Sequence, residues 1–311
     1  MKIWITGAAG AVGSHAAEQL ALAGHDVSGI DAYTDFYDPA FKERNAHELQ
    51  EKGIPVTKGD LATDKVSGFI PADTEFIFHF AAQPGISSLT SYDTYVRNNL
   101  TATHHLLEAA CGLSSLKGFV YISTSSVYGA RANGSEEVLP EPTSVYGVTK
   151  LAAEQLALSY ARDGRLPVSV LRFFSVYGER ERPDKLFRKL AQAIDRGEPF
   201  PLYEGSENHI RSFTYVRDSV QACVRIVEDF SKHVGQIFNI GTDITATTGE
   251  AIALIEGVMG KKGVYDMRPP RQGDQIETRA SIEKARKAFG YEPKTTLEEG
   301  IRNEIAWYQS L

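Results

Sequence analysis

Cysteine is nearly absent from this chain of 311 residues: Cys111 and Cys223 are the only two. Two thiols exclude a disulfide framework, and neither has metal-ligand spacing. Both fall in apolar helical patterns, so buried, inert thiols in a reducing compartment are expected. Long hydrophobic runs are also missing. No stretch approaches the roughly 20 apolar residues of a membrane span. The first residues, Met-Lys-Ile-Trp-Ile-Thr-Gly7, are apolar for too short a distance to make a signal-peptide core. A cytoplasmic location with no membrane partner is the expectation. Positive charge is not in excess either: 33 Lys and Arg against 40 Asp and Glu give a formal charge of -7. A general attraction for nucleic acid is thereby excluded, and any anion site must be local. Neither an internal repeat, a low-complexity tract nor a metal-ligand cluster is evident.

What the chain does have is 42% hydrophobic content, enough for a substantial core. Short apolar runs at 3–5, 27–30, 55–57, 76–80, 119–122 and 168–171 read as buried strands. Helical patterns at 12–23, 93–111 and 145–163 lie between them. Continuous rather than alternating apolar strands, separated by helices, predict a parallel sheet covered on both faces. The fold class is therefore α/β: a Rossmann-type doubly wound parallel sheet with a smaller α/β substrate-binding C-terminal lobe. The nucleotide-binding domain is placed at 1–174 and the lobe mainly at 175–311, where Pro, Gly and charge accumulate. The chain is expected to return to the first domain near 212–240. Helices 93–111 and 145–163 are apolar on more than one face, which makes a homodimer through them plausible.

Gly7, Gly10 and Gly13 follow the first strand and open a helix. With Ala11 and Val12 they form the turn that lets backbone approach a pyrophosphate and aims helix N–H groups at it. The spacing is GxxGxxG, and a flexible turn is the bland alternative. Asp31 ends the second strand, where a carboxylate accepts from ribose hydroxyls and repels a 2′-phosphate, favouring NAD over NADP. Asp60 and Leu61 fit an adenine rim, although Asp60 is equally a turn former. Tyr146 and Lys150 are one helical turn apart, so the ammonium can reach the phenol or a ribose beside it. Alone this spacing is common; behind the glycine turn it points to nicotinamide redox chemistry.

These motifs resemble the extended short-chain dehydrogenase/reductase family, and within it the NAD-dependent nucleotide-sugar epimerases and dehydratases. The resemblance runs through Gly7 to Gly13, Phe80-Ala-Ala-Gln83, Asn98-Asn99, Ile122-Ser-Thr-Ser-Ser-Val-Tyr128, Tyr146 to Lys150, Leu171-Arg-Phe-Phe-Ser-Val-Tyr-Gly178 and Arg271-Gln-Gly-Asp274. It implies Thr124, Tyr146 and Lys150 as the catalytic group. It also implies Ala81, Ala82 and Asn99 on the nicotinamide side, Arg211 and Arg271 on a substrate diphosphate, and Asp274 near the nucleoside ribose. Dehydratases and decarboxylases of the family resemble Thr-Asp-Glu or Thr-Ser-Glu where this chain has Thr124-Ser125-Ser126. Elimination has no carboxylate to use here, so epimerisation is the better reading.

Within the family, Asp35 to Lys42 and Arg172 to Asp184 look most like UDP-glucuronate 4-epimerases. Their carboxylate-binding positions map onto Ser125, Ser126, Ser175 and Arg182, although Arg182 also reads as one member of a solvated charge run. One departure is Ile86-Ser87-Ser88, where those relatives suggest a basic residue. The expected reaction is oxidation at sugar C4, rotation of the 4-keto sugar about its diphosphate and return of hydride to the other face. Lys150 and the nicotinamide are expected to lower the Tyr146 pKa. Three alternatives remain: a UDP-glucose or UDP-N-acetylglucosamine 4-epimerase, a reductase or dehydrogenase with net redox output, and a non-catalytic NAD-binding scaffold.

Overall fold

The computed structural model describes residues 1–63, 65–86, 90–270 and 274–311. Lys2–Thr6 forms β1, buried from Ile3 onward. A glycine turn leads to α1 (Ala11–Leu22), then β2 (Asp26–Asp31), α2 (Ala40–Glu51), β3 (Val56–Lys58) and the fully buried β4 (Phe76–His79). The segment expected as one helix at 93–111 is three pieces: α3 (Tyr92–Tyr95), a π-helical turn (Val96–Thr101) and α4 (Ala102–Ala110). Cys111, just past α4, is exposed and not the buried thiol expected; Cys223 is buried. Next come β5 (Gly118–Thr124), β6 (Arg131–Gly134), α5 (Val145–Arg162) and β7 (Val168–Phe173). The Ser144 side chain caps α5 by accepting from the Gly147 N–H.

Beyond β7 lie β8 (Val176–Tyr177), α6 (Leu186–Arg196), β9 (Pro199–Tyr203), β10 (Ile210–Arg211), β11 (Thr214–Tyr215), α7 (Val216–Ile226) and β12 (Ile237–Ile240). The chain ends with β13 (Ala246–Thr247), α8 (Thr248–Met259), β14 (Val264–Arg268), β15 (Glu277–Ala280), α9 (Glu283–Phe289) and α10 (Leu297–Gln309).

Seven strands form one sheet in the order β12-β7-β5-β4-β1-β2-β3. Neighbours run parallel throughout. Alternate residues of the same strand feed different cores: Ile3, Ile5 and Phe78 pack on one face, Trp4, Ile77 and Phe119 on the other. This two-sided burial is why the strands read as continuous apolar runs. The smaller sheet has the order β13-β10-β15-β6. Segments are exchanged between the two sheets: β6 lies beside β15 in the small one, and β12 lies beside β7 in the large one. A third core joins α6, α8 and α10 through Phe187, Leu190, Ile252, Ile255 and Ile301. Among the described residues no helix is long and apolar enough to cross a membrane.

Strand order reverses between β1 and β4, with β2 and β3 on one side and β5, β7 and β12 on the other. In an open parallel sheet this reversal leaves a crevice at the strands' carboxyl ends.

Candidate active site

A cavity of about 620 Å³ fills that crevice beneath the smaller sheet. Its wall brings together Gly7, Gly10, Ala11, Val12, Gly13, Asp31, Asp60, Leu61, Ala81, Ala82, Thr124, Ser125, Ser126, Tyr146, Lys150, Ser175, Arg182, Arg211 and Asp274. Arg271 lies outside the described residues, as do Ser87 and Ser88. Asn99 is a correction: it does not line the cavity but is buried behind the wall. Its Oδ1 accepts from the Gln83 N–H at 2.6 Å, and its Nδ2 donates to Thr149 Oγ1 at 3.0 Å. The π-helical turn puts Asn98 on the cavity and Asn99 behind it.

The glycine turn has the shape a dinucleotide requires. Gly7 has φ +68, and a Cβ at Gly13 would lie 2.2 Å from the Gly7 carbonyl oxygen. Only glycine lets the turn close this tightly on α1. No side chain caps the N-terminus of α1, so its first N–H groups face the cavity, where a pyrophosphate would meet them. Asp31 is anchored beside the turn: Oδ2 accepts from the Ala9 N–H at 3.1 Å and Oδ1 from the Tyr33 N–H at 2.8 Å. Burial pushes its pKa up; the Tyr33 N–H and the Lys42 ammonium pull it back. Lone pairs remain for ribose hydroxyls. Asp60 does two jobs, accepting from the Ala62 N–H at 2.9 Å and pairing with Arg97 at 2.5 Å.

At the other end, α5 carries Tyr146 and Lys150 to the end of β5. Burial raises the Tyr146 pKa, and the Thr124 hydroxyl and the Arg182 guanidinium oppose that rise. The sequence expectation assigned the lowering to Lys150 and the nicotinamide, and Lys150 is not among the groups acting on the phenol. In the structure the Lys150 ammonium donates to the Ile122 carbonyl at 2.6 Å and lies 4.2 Å from the centre of the Tyr121 ring. A buried cation takes the nearest good acceptor. Arg182 is thus the cation acting on the phenol that sequence reasoning did not assign.

Burial also pushes Lys150 down to about 7 from 10.5, with Glu154 pulling upward. The unfolded chain keeps its lysine proton until about pH 10.4. Between these values the unfolded state therefore binds more protons, and stability rises with pH. Between about pH 6.5 and 8.5, below most cysteine and tyrosine ionisation, the NAD-free protein should gain thermal stability relative to Lys150→Met. Parallel thermal midpoints for the two proteins across that range would refute this.

One turn beyond Lys150, Glu154 is fully buried against Arg172, with a closest contact of 2.5 Å. Ser123 Oγ donates to the same carboxylate at 2.6 Å, and Arg172 NH1 donates to the Tyr128 hydroxyl at 2.7 Å. That hydroxyl donates to Asn239 Oδ1 at 2.8 Å. The network ties α5 to β5, β7 and β12 directly below the catalytic turn.

The opposite wall is built for an oxygen-rich ligand. Thr124 Oγ1 accepts from the Ser126 N–H at 3.2 Å, which leaves the Thr124 proton free to donate. Ser175 sits at φ +37, a left-handed conformation Asn adopts more readily, with its Oγ 3.3 Å from Thr278 Oγ1. Arg182 is largely buried, so the solvated-charge reading does not hold. Its Nε and NH2 each donate to Asp184 at 2.9 Å, and its guanidinium lies over the Phe36 ring. NH1 makes no hydrogen bond among the described residues. Gly85, at φ +79, gives the fork room: a Cβ there would lie 3.1 Å from Arg182 NH2. Arg211 donates to the Ile210 carbonyl at 3.0 Å and to that of Gln275. Phe36, Gly85 and Asp184 were not named as site residues from sequence, although Phe36 and Asp184 lie in the segments 35–42 and 172–184 that carry the uronate resemblance.

Residues 3–241 match the model of the "NAD dependent epimerase/dehydratase family". The chain is 37% identical to the uncharacterized UDP-glucose epimerase YtcB of Bacillus subtilis (strain 168), over 100% of this chain and 99% of that protein. It is 32% identical to UDP-glucuronate 4-epimerase 6 of Arabidopsis thaliana, over 99% of this chain and 71% of that protein. Among solved structures it resembles UDP-glucuronic acid 4-epimerase from Bacillus cereus in complex with UDP-glucuronic acid and NAD. That likeness has TM-score 0.94 and 33% identity, covering 100% of this chain and 99% of the other.

Proposed function

Because the chain belongs to the NAD dependent epimerase/dehydratase family, we propose that it is an NAD-dependent UDP-sugar 4-epimerase interconverting UDP-glucuronate and UDP-galacturonate. The observation that carries the uronate reading is Arg182, buried in the cavity wall and acting on Tyr146, with NH1 unpaired among the described residues. A carboxylate at sugar C5 matches that fork.

Gly10 to Gly13 and Asp31 would hold the NAD pyrophosphate and adenosine ribose, and Ala81, Ala82 and Lys150 would flank the nicotinamide. When bound, NAD supplies a hydride acceptor for sugar C4 that later gives the hydride back. Tyr146 takes the proton of the 4-hydroxyl and returns one when the ring is reduced. Its unperturbed pKa near 10 makes it a weak base at neutral pH, so positive charge in the cavity must offset its burial. Arg182 contributes such charge. Thr124 donates to the developing carbonyl oxygen. Arg211 holds the diphosphate while the ring turns, and few contacts to the ring hydroxyls allow it to do so.

A 4-keto uronate is a β-keto acid and loses CO2 when its C5–C6 bond aligns with the carbonyl π system. Arg182, Ser125 and Ser126 hold the carboxylate out of that alignment. Positions 125 and 126 carry no acid to promote elimination.

One observation favours a neutral hexose: Asp184 already neutralises Arg182 on one edge. The test is turnover of UDP-glucuronate, UDP-glucose and UDP-N-acetylglucosamine by purified protein, with products resolved chromatographically. Turnover confined to neutral sugars overturns the uronate reading. Arg182→Leu should lower kcat/KM for UDP-glucuronate by roughly 10- to 150-fold, the loss of a charged hydrogen-bonded pair worth about 1.5–3 kcal/mol. UDP-glucose turnover should fall less, by only the part owed to losing the Arg182 charge beside Tyr146. We also place the enzyme in the cytoplasm as a homodimer, the latter supported by the exposed Tyr92, Val145 and Val148 on α3 and α5.

A further inference from the structure

The fold also buries an imidazole that the reaction does not use. His79, the last residue of β4, is 1% exposed, in register with Thr6 of β1 on one side and Tyr121 of β5 on the other. Its Nδ1 is 2.7 Å from Thr6 Oγ1 and its Nε2 is 2.8 Å from Thr103 Oγ1.

The direction of each bond follows from proton counting. Thr103 gives its single hydroxyl proton to the Asn99 carbonyl at 2.6 Å, so toward His79 it can only accept. Nε2 therefore carries the ring proton. Thr6 Oγ1 accepts from the Ala81 N–H at 3.1 Å and gives its own proton to Nδ1. A doubly protonated ring would leave the Thr6 proton without an acceptor. Burial, helped by the Lys150 charge, also pushes His79 down to about 3. The Phe119 and Tyr121 rings close the remaining sides.

Both ends of this chain reach the cavity wall. Thr6 precedes Gly7, and a Cβ on Gly7 would lie 2.8 Å from the Ala81 nitrogen, so the glycine turn and the Ala81 wall are in backbone contact. From Asn99 the bonds continue through its Nδ2 to Thr149 Oγ1 at 3.0 Å, and from that hydroxyl to the Tyr146 carbonyl at 3.0 Å.

We propose that His79, locked as the Nε2–H tautomer, is a positioning residue that sets the cofactor wall at Ala81 against the helix carrying Tyr146. It does not line the cavity, so it would touch neither sugar nor cofactor. Its effect on rate rests on the epimerase reading above; its tautomer does not.

Nitrogen-15 NMR of the wild-type protein, with His79 assigned by comparison with His79→Gln, should show Nε2 protonated, Nδ1 bare and no titration between pH 5 and 8. A protonated Nδ1, or titration in that range, overturns the proposal. The kinetic arm uses Thr103→Val, which keeps the shape and removes the hydroxyl. Its kcat per NAD-loaded site should fall about tenfold to a hundredfold, as a displacement of up to about 1 Å at the reacting groups would cause. KM for the UDP-sugar should stay within about twofold of wild type, since the diphosphate contacts are untouched. Thr103→Ser should restore kcat. A folded Thr103→Val protein with wild-type kcat, or a loss seen only in KM or in NAD content, overturns the proposal. Absence of epimerase turnover in the wild type would instead sink the functional reading and leave the tautomer result standing.

Discussion

Replacing Tyr146 by Phe should lower kcat by roughly 10²–10⁴-fold, the usual contribution of a positioned general base, while leaving the fold and bound NAD in place. The phenyl ring still fills the space against Tyr95, whose ring centre is 6.3 Å away, so packing is preserved. Only the hydroxyl proposed to exchange a proton with the sugar is lost. Absorbance and mass analysis of the purified variant would report its NAD content, and a coupled assay its turnover. A variant with wild-type turnover would rule out Tyr146 as the base. A scaffold that merely binds NAD would be indifferent to the change, so the same experiment separates an enzyme from a silent relative.

The second large effect concerns stability. Glu154→Ala should destabilise the protein by about 3–5 kcal/mol, because it leaves the Arg172 guanidinium buried without its counter-charge. For a chain of 311 residues that is a thermal midpoint lower by roughly 5–8 °C. Ser123 and Tyr128 cannot compensate: a serine hydroxyl is neutral, and Tyr128 is already shared with Asn239. Replacing both partners by apolar residues, Glu154→Leu with Arg172→Met, should recover much of the loss, since desolvating the pair is itself costly. Calorimetry of the single and double variants decides this. If the single change is tolerated and the double is worse, the network contributes by geometry and not by charge compensation.

The central sheet was legible because its strands are buried on both faces and so form unbroken apolar runs. Every run singled out falls on a strand of that sheet, and the expected return of the chain near 212–240 supplies its seventh, β12. Among the helices that escaped notice, α2 shows the reason most clearly. In α2 only Lys42, Asn45 and Leu49 are buried, so an apolar stripe was never there to see. The cofactor end of the site was readable from the spacing of Gly7, Gly10 and Gly13, since the turn is local. The sugar end was read only through the resemblance, which named Ser125, Ser126, Ser175 and Arg182 but not the action of Arg182 on Tyr146. Arg182 is brought to Tyr146 by contacts with Phe36, Gly85 and Asp184, which come from three separate loops. Long-range packing also explains the Lys150 difference: helical spacing places the ammonium near Tyr146, but the Ile122 carbonyl that captures it belongs to a strand.

The exchange of β6 and β12 has a consequence for how substrate enters. Two bodies joined by a single linker can swing apart, with a few residues absorbing the rotation. Here each body has a strand hydrogen-bonded into the other's sheet, so a wide swing would have to break ladders at both places. Entry and release must therefore be the work of small sliding movements and of the loops around the mouth. Structures with and without a UDP-sugar should superpose sheet on sheet to within about 1 Å. The enzyme would admit its ligand as a letterbox does, through a flap in a wall that stays where it is.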